Sequence, residues 1–287
     1  MADGILIIDK PAGWTSMDVC AKLRGIYKEK RVGHAGTLDP MATGVLPVFI
    51  GKATKAVSFA EDGEKEYIAG LKLGLVTNTQ DTTGEALSES PVHVTEEDLR
   101  AVLPRFTGEQ LQLPPMFSAI KKDGKKLYEL ARKGQEVERK RRAITIFELE
   151  LLEQTGDDTF LLRVLCSKGT YVRTLCHDIG EALGCGGCMC SLRRTMAAGF
   201  TLEESVTLEQ AQEKKEALLL PLDAYFRDFP ALTLNEFQQR RCCCGNPVTA
   251  EGLADGIYRL YGTDGRFLAL SEAKHGVLTS IKNFFGE

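Results

Sequence analysis

The spacing of apolar and polar residues changes repeatedly along this chain, and each change predicts an element. Ile5-Leu6-Ile7-Ile8 is an unbroken apolar run, the pattern of a buried strand. After a turn at Asp9-Lys10-Pro11-Ala12-Gly13-Trp14, Thr15-Ser16-Met17-Asp18 has the form of a capping box. It predicts a helix to about Lys28, with Val19, Leu23 and Ile26 on one face. Gly33 to Gly44 holds three glycines, a proline and two threonines, so neither helix nor strand can continue through it. Val45 to Ile50 is strand-like, so that loop should sit on a sheet, and a helix over about Ala53 to Ala60 follows.

Lys65 to Leu73 alternates polar and apolar, the mark of a half-buried strand. Residues 75–91 are polar and read as a loop; Thr95-Glu96-Glu97-Asp98 then caps a helix to about Leu103. Pro114-Pro115 marks a break before the strand-like Met116 to Ile120. A turn at Lys122-Asp123-Gly124-Lys125 leads to a short helix, Leu127 to Lys133, on which Tyr128 and Leu130 should pack inward. Strands are expected at Ile144 to Glu153 and Thr159 to Ser167, a helix from Arg173 to Leu183, and a strand over Met189 to Arg194. The texture changes after Pro221. Helical segments around Leu208–Leu218 and Leu234–Arg241 flank a linker at Phe229-Pro230, and short strands with glycine turns follow. The pattern predicts an α+β chain with a large mixed, mostly antiparallel sheet and a small β-barrel-like appendage over 229–287. There is no internal repeat.

A length of 287 residues suffices for one large domain and one small one. No apolar run approaches the roughly 18–20 residues that span a bilayer. The start lacks a basic n-region, so the expectation is no signal peptide, no membrane and a cytoplasmic protein. Nine cysteines, an odd number, do not resemble a secreted disulfide framework. Cys185-Gly-Gly-Cys188-Met-Cys190 has the look of half a zinc site, which Cys242-Cys243-Cys244 could complete. The spacing does not fit a standard pairing, and Met189 and Leu192 mark the first cluster as a buried strand; reduced thiols and no metal are expected.

Charge adds a local feature. The net charge is −4, yet ten Lys or Arg and four acidic residues lie between Lys121 and Arg142, while acidic residues gather in Glu85–Asp98 and Glu203–Glu216. A concentrated basic segment on an acidic chain suits a specific polyanion site; a solvated charged helix is the alternative. The loop Gly33–Gly44 contains His34 and Asp39. Asp39 stands between Leu38 and Pro40, whose ring biases its backbone toward an extended shape. A carboxylate so restricted, on a loop rooted in a core, is a candidate catalytic group, although an Asp-Pro turn is common.

Several motifs together resemble one family. Asp9-Lys10-Pro11-x-Gly13 looks like the lysine-proline motif of pseudouridine synthases, and Gly33-His34-Ala35-Gly36-Thr37-Leu38-Asp39-Pro40-x-Ala42-Thr43-Gly44 looks like their catalytic-aspartate motif in its bacterial TruB form. Lys65-x-Tyr67, Ser167-Lys168-Gly169-Thr170-Tyr171-Val172-Arg173 and Leu192-Arg193-Arg194 follow in the family's order, and the likeness covers about residues 4–225. The tail is similar to the family's PUA-like RNA-binding domain, giving a division into 1–228 and 229–287. The cysteine clusters are a departure from the family pattern.

The resemblance implies an eight-stranded mixed sheet with a central cleft. It also implies isomerisation of uridine to pseudouridine at position 55 of the tRNA T loop, without metal or cofactor. Asp39 would be the nucleophile, Arg173 its ion-pair partner, and Tyr67 the stacking and proton-moving residue. His34, five residues before Asp39, is placed to fill the vacated space or stack on a flipped nucleotide, Tyr171 and Leu192 would line the base pocket, and Lys10-Pro11 would pack beside the loop. Residues 121–142 match a thumb-like insertion in which Lys125 and Lys126 contact the T stem-loop.

Chemistry fits this reading. Carboxylates do comparable work at anomeric carbons, but here water must be excluded and the detached base itself returns as nucleophile. The Asp39 pKa should be lowered by the neighbouring guanidinium. The expectation is a stand-alone monomer acting on tRNA. The rivals are an RNA-binding or tRNA-folding protein with little catalysis, a synthase acting on another RNA, and a sugar hydrolase, which would need a second carboxylate.

Overall fold

Two β-sheets organise residues 2–286, the part of the chain described by the computed structural model. Strand β1 (Gly4–Lys10) is buried on both faces, which explains its unbroken apolar run. Ile5 and Ile7 pack with Val45, Phe49 and Phe226, while Leu6 and Ile8 pack with Val19, Leu23, Leu46 and Val48. Helix α1 (Ser16–Tyr27) carries the expected capping box between Thr15 and Asp18 and ends at Lys28 in the left-handed region. Strand β2 (Val32–His34) pairs with β3 (Thr43–Ile50), and the glycine-rich loop hangs between them. The helix expected from Ala53 is α-helical only as α2 (Val57–Glu61); residues Gly51–Ala56 form a tighter 3-10 turn, where the Thr54 hydroxyl donates to the Gly51 carbonyl.

Strand β4 (Lys65–Leu73) alternates as expected. The stretch 75–91, read as loop, contains a small hairpin, β5 (Leu75–Thr77) and β6 (Ala86–Glu89). Its tip is pinned by a distant strand: the Thr82 and Met189 N–H groups donate to the Met189 and Gln80 carbonyls. Helix α3 (Glu96–Val102) begins at the Thr95 capping box. Strand β7 (Gly108–Gln112) is an edge strand whose polar sequence gave no signal, and Met116–Ile120, expected as a strand, is irregular. The Ser118 and Ile120 carbonyls accept from Tyr128 and Leu127 instead of from a strand.

Strands β8 (Lys121–Lys122) and β9 (Lys125–Lys126) form a hairpin turned by Asp123 and Gly124, both at positive φ, ahead of α4 (Leu127–Ala131). The domain continues through β10 (Arg142–Gly156), β11 (Thr159–Cys166), α5 (Val172–Ala182), β12 (Gly187–Ala197), β13 (Phe200–Thr201) and α6 (Leu208–Lys214). The remainder is β14 (Ala231–Thr233), α7 (Glu236–Cys243), β15 (Val248–Thr249), β16 (Gly256–Tyr261), β17 (Phe267–Lys274) and β18 (Val277–Asn283).

The large sheet runs β1-β3-β12-β4-β11-β10-β7, with β13 on β12 and β2 on β3. That makes nine strands rather than the expected eight, through short strands at the margins. Its one parallel pairing among the described residues is β12 with β3, at Arg193↔Thr43 and Arg194↔Gly44. This pairing fixes the root of the glycine-rich loop. Gly44 has φ +99 and a Cβ there would lie 2.1 Å from the Arg194 carbonyl oxygen, so only glycine lets the strands meet.

The second sheet, β14-β16-β17-β18-β15, closes over its own core of Leu234, Cys242, Val248, Leu260 and Leu268. Phe229-Pro230, read as a linker, is bonded into this sheet. Arg259 Nε donates to the Phe229 carbonyl at 2.8 Å, and the Arg259 N–H to the Pro230 carbonyl at 2.9 Å. Phe226 packs on Phe267 and Phe284, so the two sheets share an aromatic junction.

Candidate active site

The glycine-rich loop is fastened from below and from the side. The fully buried Arg194 side chain donates to the Val45 carbonyl at 2.7 Å and the Gly36 carbonyl at 3.0 Å, gripping both ends of the loop. Ser16 Oγ accepts the Leu38 N–H at 2.9 Å. Lys10, also fully buried, donates to the carbonyls of Pro11, Trp14 and Pro40. Burial pushes its pKa down to about 8, against the pull of Asp39. Lys10 therefore holds the loop through the Pro40 carbonyl, while Pro11, exposed, only accepts from Lys10.

So fixed, Asp39 meets Arg173 from the first turn of α5. Arg173 Nε lies 2.9 Å from Asp39 Oδ2, and Nη2 3.5 Å from Oδ1. The Arg173 side chain is 7% exposed and the Asp39 carboxylate 36%, so the anion faces open space while its cation is buried behind it. Arg173 also donates to the Thr79 carbonyl at 3.0 Å and the Phe117 carbonyl at 2.8 Å. The Asp39 pKa is raised, not lowered as expected from the ion pair alone. Burial of the carboxyl is the largest cause; Arg173 opposes it and the negative charge of Asp81 reinforces it.

Asp81 gives no signal in the sequence, because residues 75–91 have the composition of a solvent-exposed loop. It is 4% exposed, 3.7 Å from Arg173 Nη1, and accepts from the Thr79 and Thr83 hydroxyls and the Thr83 N–H. Gln80, at φ 63, receives the Thr174 hydroxyl at 2.8 Å and so grips α5 one residue beyond Arg173. The cluster of Thr, Asp and Gly signals a side-chain-bonded turn; only the pairing with β12 places it under Arg173.

Tyr67 on β4 is 7% exposed and stands directly opposite Arg194 on β12. Burial raises its phenol pKa, with Arg194 opposing. Tyr171 is the half-buried N-cap of α5, its hydroxyl likewise raised by burial. The Asp39 charge acts on both phenols, raising them further. Leu192, 8% exposed, packs in the core cluster with Leu38, Ala42 and Tyr67.

His34 lies at the end of β2 opposite Val48, five residues before Asp39 where the loop begins. Burial and then Arg194 lower its pKa, and among the described residues its buried Nδ1 has no hydrogen-bond partner. Lys125 is exposed on the β8–β9 hairpin; Lys126 is half-buried, its Nζ 5.4 Å from the Tyr128 ring centroid. Leu127, rather than Tyr128 or Leu130, is the fully buried side chain of α4; Tyr128 is instead flanked by Lys126 and Arg132. All nine cysteines are free, and among the described residues no group of three or more His, Cys, Asp or Glu is placed to hold a metal.

The large mixed sheet thus carries a carboxylate–guanidinium pair, a basic segment leaves it after β7 and returns at β10, and a smaller β-sheet joins it at Phe226, the arrangement expected of a pseudouridine synthase. Residues 24–172 match the family described as TruB family pseudouridylate synthase (N terminal domain). Residues 173–227 match the tRNA pseudouridylate synthase B C-terminal domain, and 230–281 match Pseudouridine synthase II TruB, C-terminal. The chain belongs to the TruB family.

It is 46% identical to the tRNA pseudouridine synthase B of Aromatoleum aromaticum over 95% of this chain and 89% of that one. The corresponding protein of Syntrophomonas wolfei is 46% identical, over 95% of this chain and 94% of that one. Among solved structures, a chain of a Cbf5-Nop10-Gar1 complex superposes with a TM-score of 0.74 at 26% identity, covering 98% of this chain and 85% of that one. A chain of the archaeal box H/ACA sRNP Nop10-Cbf5 complex gives 0.70 at 26% identity, covering 98% and 86%. Among the described residues no helix is long and apolar enough to cross a membrane.

Proposed function

We propose that this protein isomerises uridine 55 in the T loop of tRNA to pseudouridine, with Asp39 as nucleophile. The observation that carries the reading is the Asp39–Arg173 pair, 2.9 Å apart and open on the carboxylate side. The target base must leave its stack, at a cost of a few kcal/mol. His34 fills the space it vacates, and Tyr67 gives it a flat surface. Asp39 acts at the sugar–base junction, the N1–C1′ bond breaks, and the uracil turns and bonds C1′ through C5. C5 loses a proton and N1 gains one, so substrate and product are isomers and no cofactor is consumed; Tyr67 moves the C5 proton. Arg173 keeps Asp39 ionised and aimed against the burial that favours its neutral form. Tyr171 and Leu192 confine the loose base and exclude water.

We divide the chain into a catalytic domain, 1–228, and a PUA-like RNA-binding domain, 229–287. We place it in the cytoplasm, in keeping with nine unpaired thiols, and as a stand-alone monomer. Incubated with an unmodified T-arm stem-loop, the protein should convert the target uridine, read as pseudouridine by mass-shift labelling; binding without conversion would leave the RNA-folding alternative standing.

The thumb-like insertion supplies the salt-dependent part of binding. Charge reversal at Lys125 and Lys126 should raise KM for tRNA with little change in kcat. It should also flatten the dependence of log affinity on log salt by about 0.7–0.9 for each phosphate no longer neutralised. A KM titration at several salt concentrations measures both, and an unaltered slope removes these lysines from the RNA interface.

A further inference from the structure

Gln112 is the last residue of the edge strand β7, and its polar side chain is only 4% exposed. A buried primary amide is costly unless both ends are bonded. Both ends are bonded here, and to a single residue. The Tyr171 N–H donates to Gln112 Oε1 at 2.8 Å, and Gln112 Nε2 donates to the Tyr171 carbonyl at 3.0 Å. One side chain thus reproduces the paired bonds of a strand partner for a peptide unit that has left the sheet, since β11 stops at Cys166.

Tyr171 is the N-cap of α5 and no side chain caps that end. Its φ of −101° and ψ of 106° set the direction in which α5 departs, and Arg173 is the second residue of that helix. The Gln112 backbone faces Arg142 across the β7–β10 ladder, and the basic insertion leaves after the one and returns at the other. The same amide therefore ties the root of the insertion to the cleft.

We infer that Gln112 is a positioning residue for the isomerisation: its side-chain amide fixes the Tyr171 backbone, and through it the seat of Tyr171 in the base pocket and the reach of Arg173 to Asp39. The inference rests on the functional reading above. A misplacement of about 1 Å at such a site can cost on the order of a hundredfold in rate. The amide must both donate and accept. Gln112→Glu loses the donor, Gln112→Leu and Gln112→Met lose both bonds, and none can mimic it.

The experiment is single-turnover conversion of an unmodified T-arm stem-loop by wild type, Gln112→Leu, Gln112→Met and a control, Gln110→Leu. Gln110 sits on the same strand and donates only to the Phe106 carbonyl. The Gln112 variants should lose about tenfold or more in rate with RNA affinity within about twofold. Their acid limb should move to higher pH, because a looser Arg173 no longer opposes the burial of Asp39. Thermal unfolding and Gln110→Leu should stay near wild type. Gln112 variants that fold and turn over normally would overturn the inference, as would an unmoved acid limb with a slower rate. Failure of both Gln112 variants to fold beside a folded Gln110→Leu would also overturn it, making Gln112 a folding residue. If wild type itself makes no pseudouridine, it is the functional reading that falls.

Discussion

Asp39→Asn should bind a T-arm stem-loop within about twofold of wild type and lose turnover by at least about a thousandfold. The amide keeps the shape of the carboxylate and can still accept from Arg173 Nε, which lies 2.9 Å from the native Oδ2. It cannot form the bond to the sugar–base junction. The direction of the Asp39 shift adds a second outcome. Its folded pKa lies above the unfolded value, so folding favours the neutral form, and stability from this group is lost as pH rises through the carboxylate range. The Asp39→Asn protein, permanently neutral at this position, should therefore be at least as resistant to urea as wild type at neutral pH. A variant that loses activity and stability together would point to a structural aspartate in an Asp-Pro turn. Binding isotherms, single-turnover assays and urea denaturation separate the two.

Arg173→Met should lower the rate by about a hundredfold or more, the scale on which removing one directed donor acts on developing charge. It should also move the acid limb of kcat/KM upward. Burial does most to raise the Asp39 pKa, and Arg173 is the main influence against it. Without the guanidinium, burial and the Asp81 charge push together, and a higher pH is needed to ionise the nucleophile. Unlike Asp39→Asn, this change should destabilise the protein. It strands Asp81, whose side chain is 6% exposed, and leaves the Thr79 and Phe117 carbonyls without their donor. Breaking such a buried pair costs about 3–5 kcal/mol where desolvation is complete and less at the half-open Asp39. Arg173→Lys should recover little, since one ammonium cannot serve Asp39, Thr79 and Phe117 from a planar fork. A pH–rate profile unchanged in Arg173→Met would separate Arg173 from the ionisation of Asp39.

Local chemistry was legible wherever it was self-contained. The Thr15–Asp18 and Thr95–Asp98 capping boxes form as spaced, because each closes within one helical turn. The continuous run in β1 and the alternation in β4 appear as strands because their burial follows directly from side-chain period. Motif order along the chain suggested Asp39, Tyr67 and Arg173 as one set, and the fold brings Asp39 to Arg173.

Other features were set by partners far along the chain. Gly108–Gln112 became a strand because β10 offered it a ladder, and Met116–Ile120 did not because its carbonyls went to α4 and Arg173. The polar stretch around Asp81 reads as exposed loop, yet its pairing with Met189 buries a carboxylate against Arg173. The Asp39 pKa turned on the same distinction. A sequence can name the opposing guanidinium, but the desolvation that outweighs it exists only once the cleft has formed. The sequence named Asp39, Arg173 and the loop and helix that carry them, because residue type and local spacing are intrinsic to the chain. The tertiary structure decided their burial and their charge, because both depend on what distant segments exclude from water.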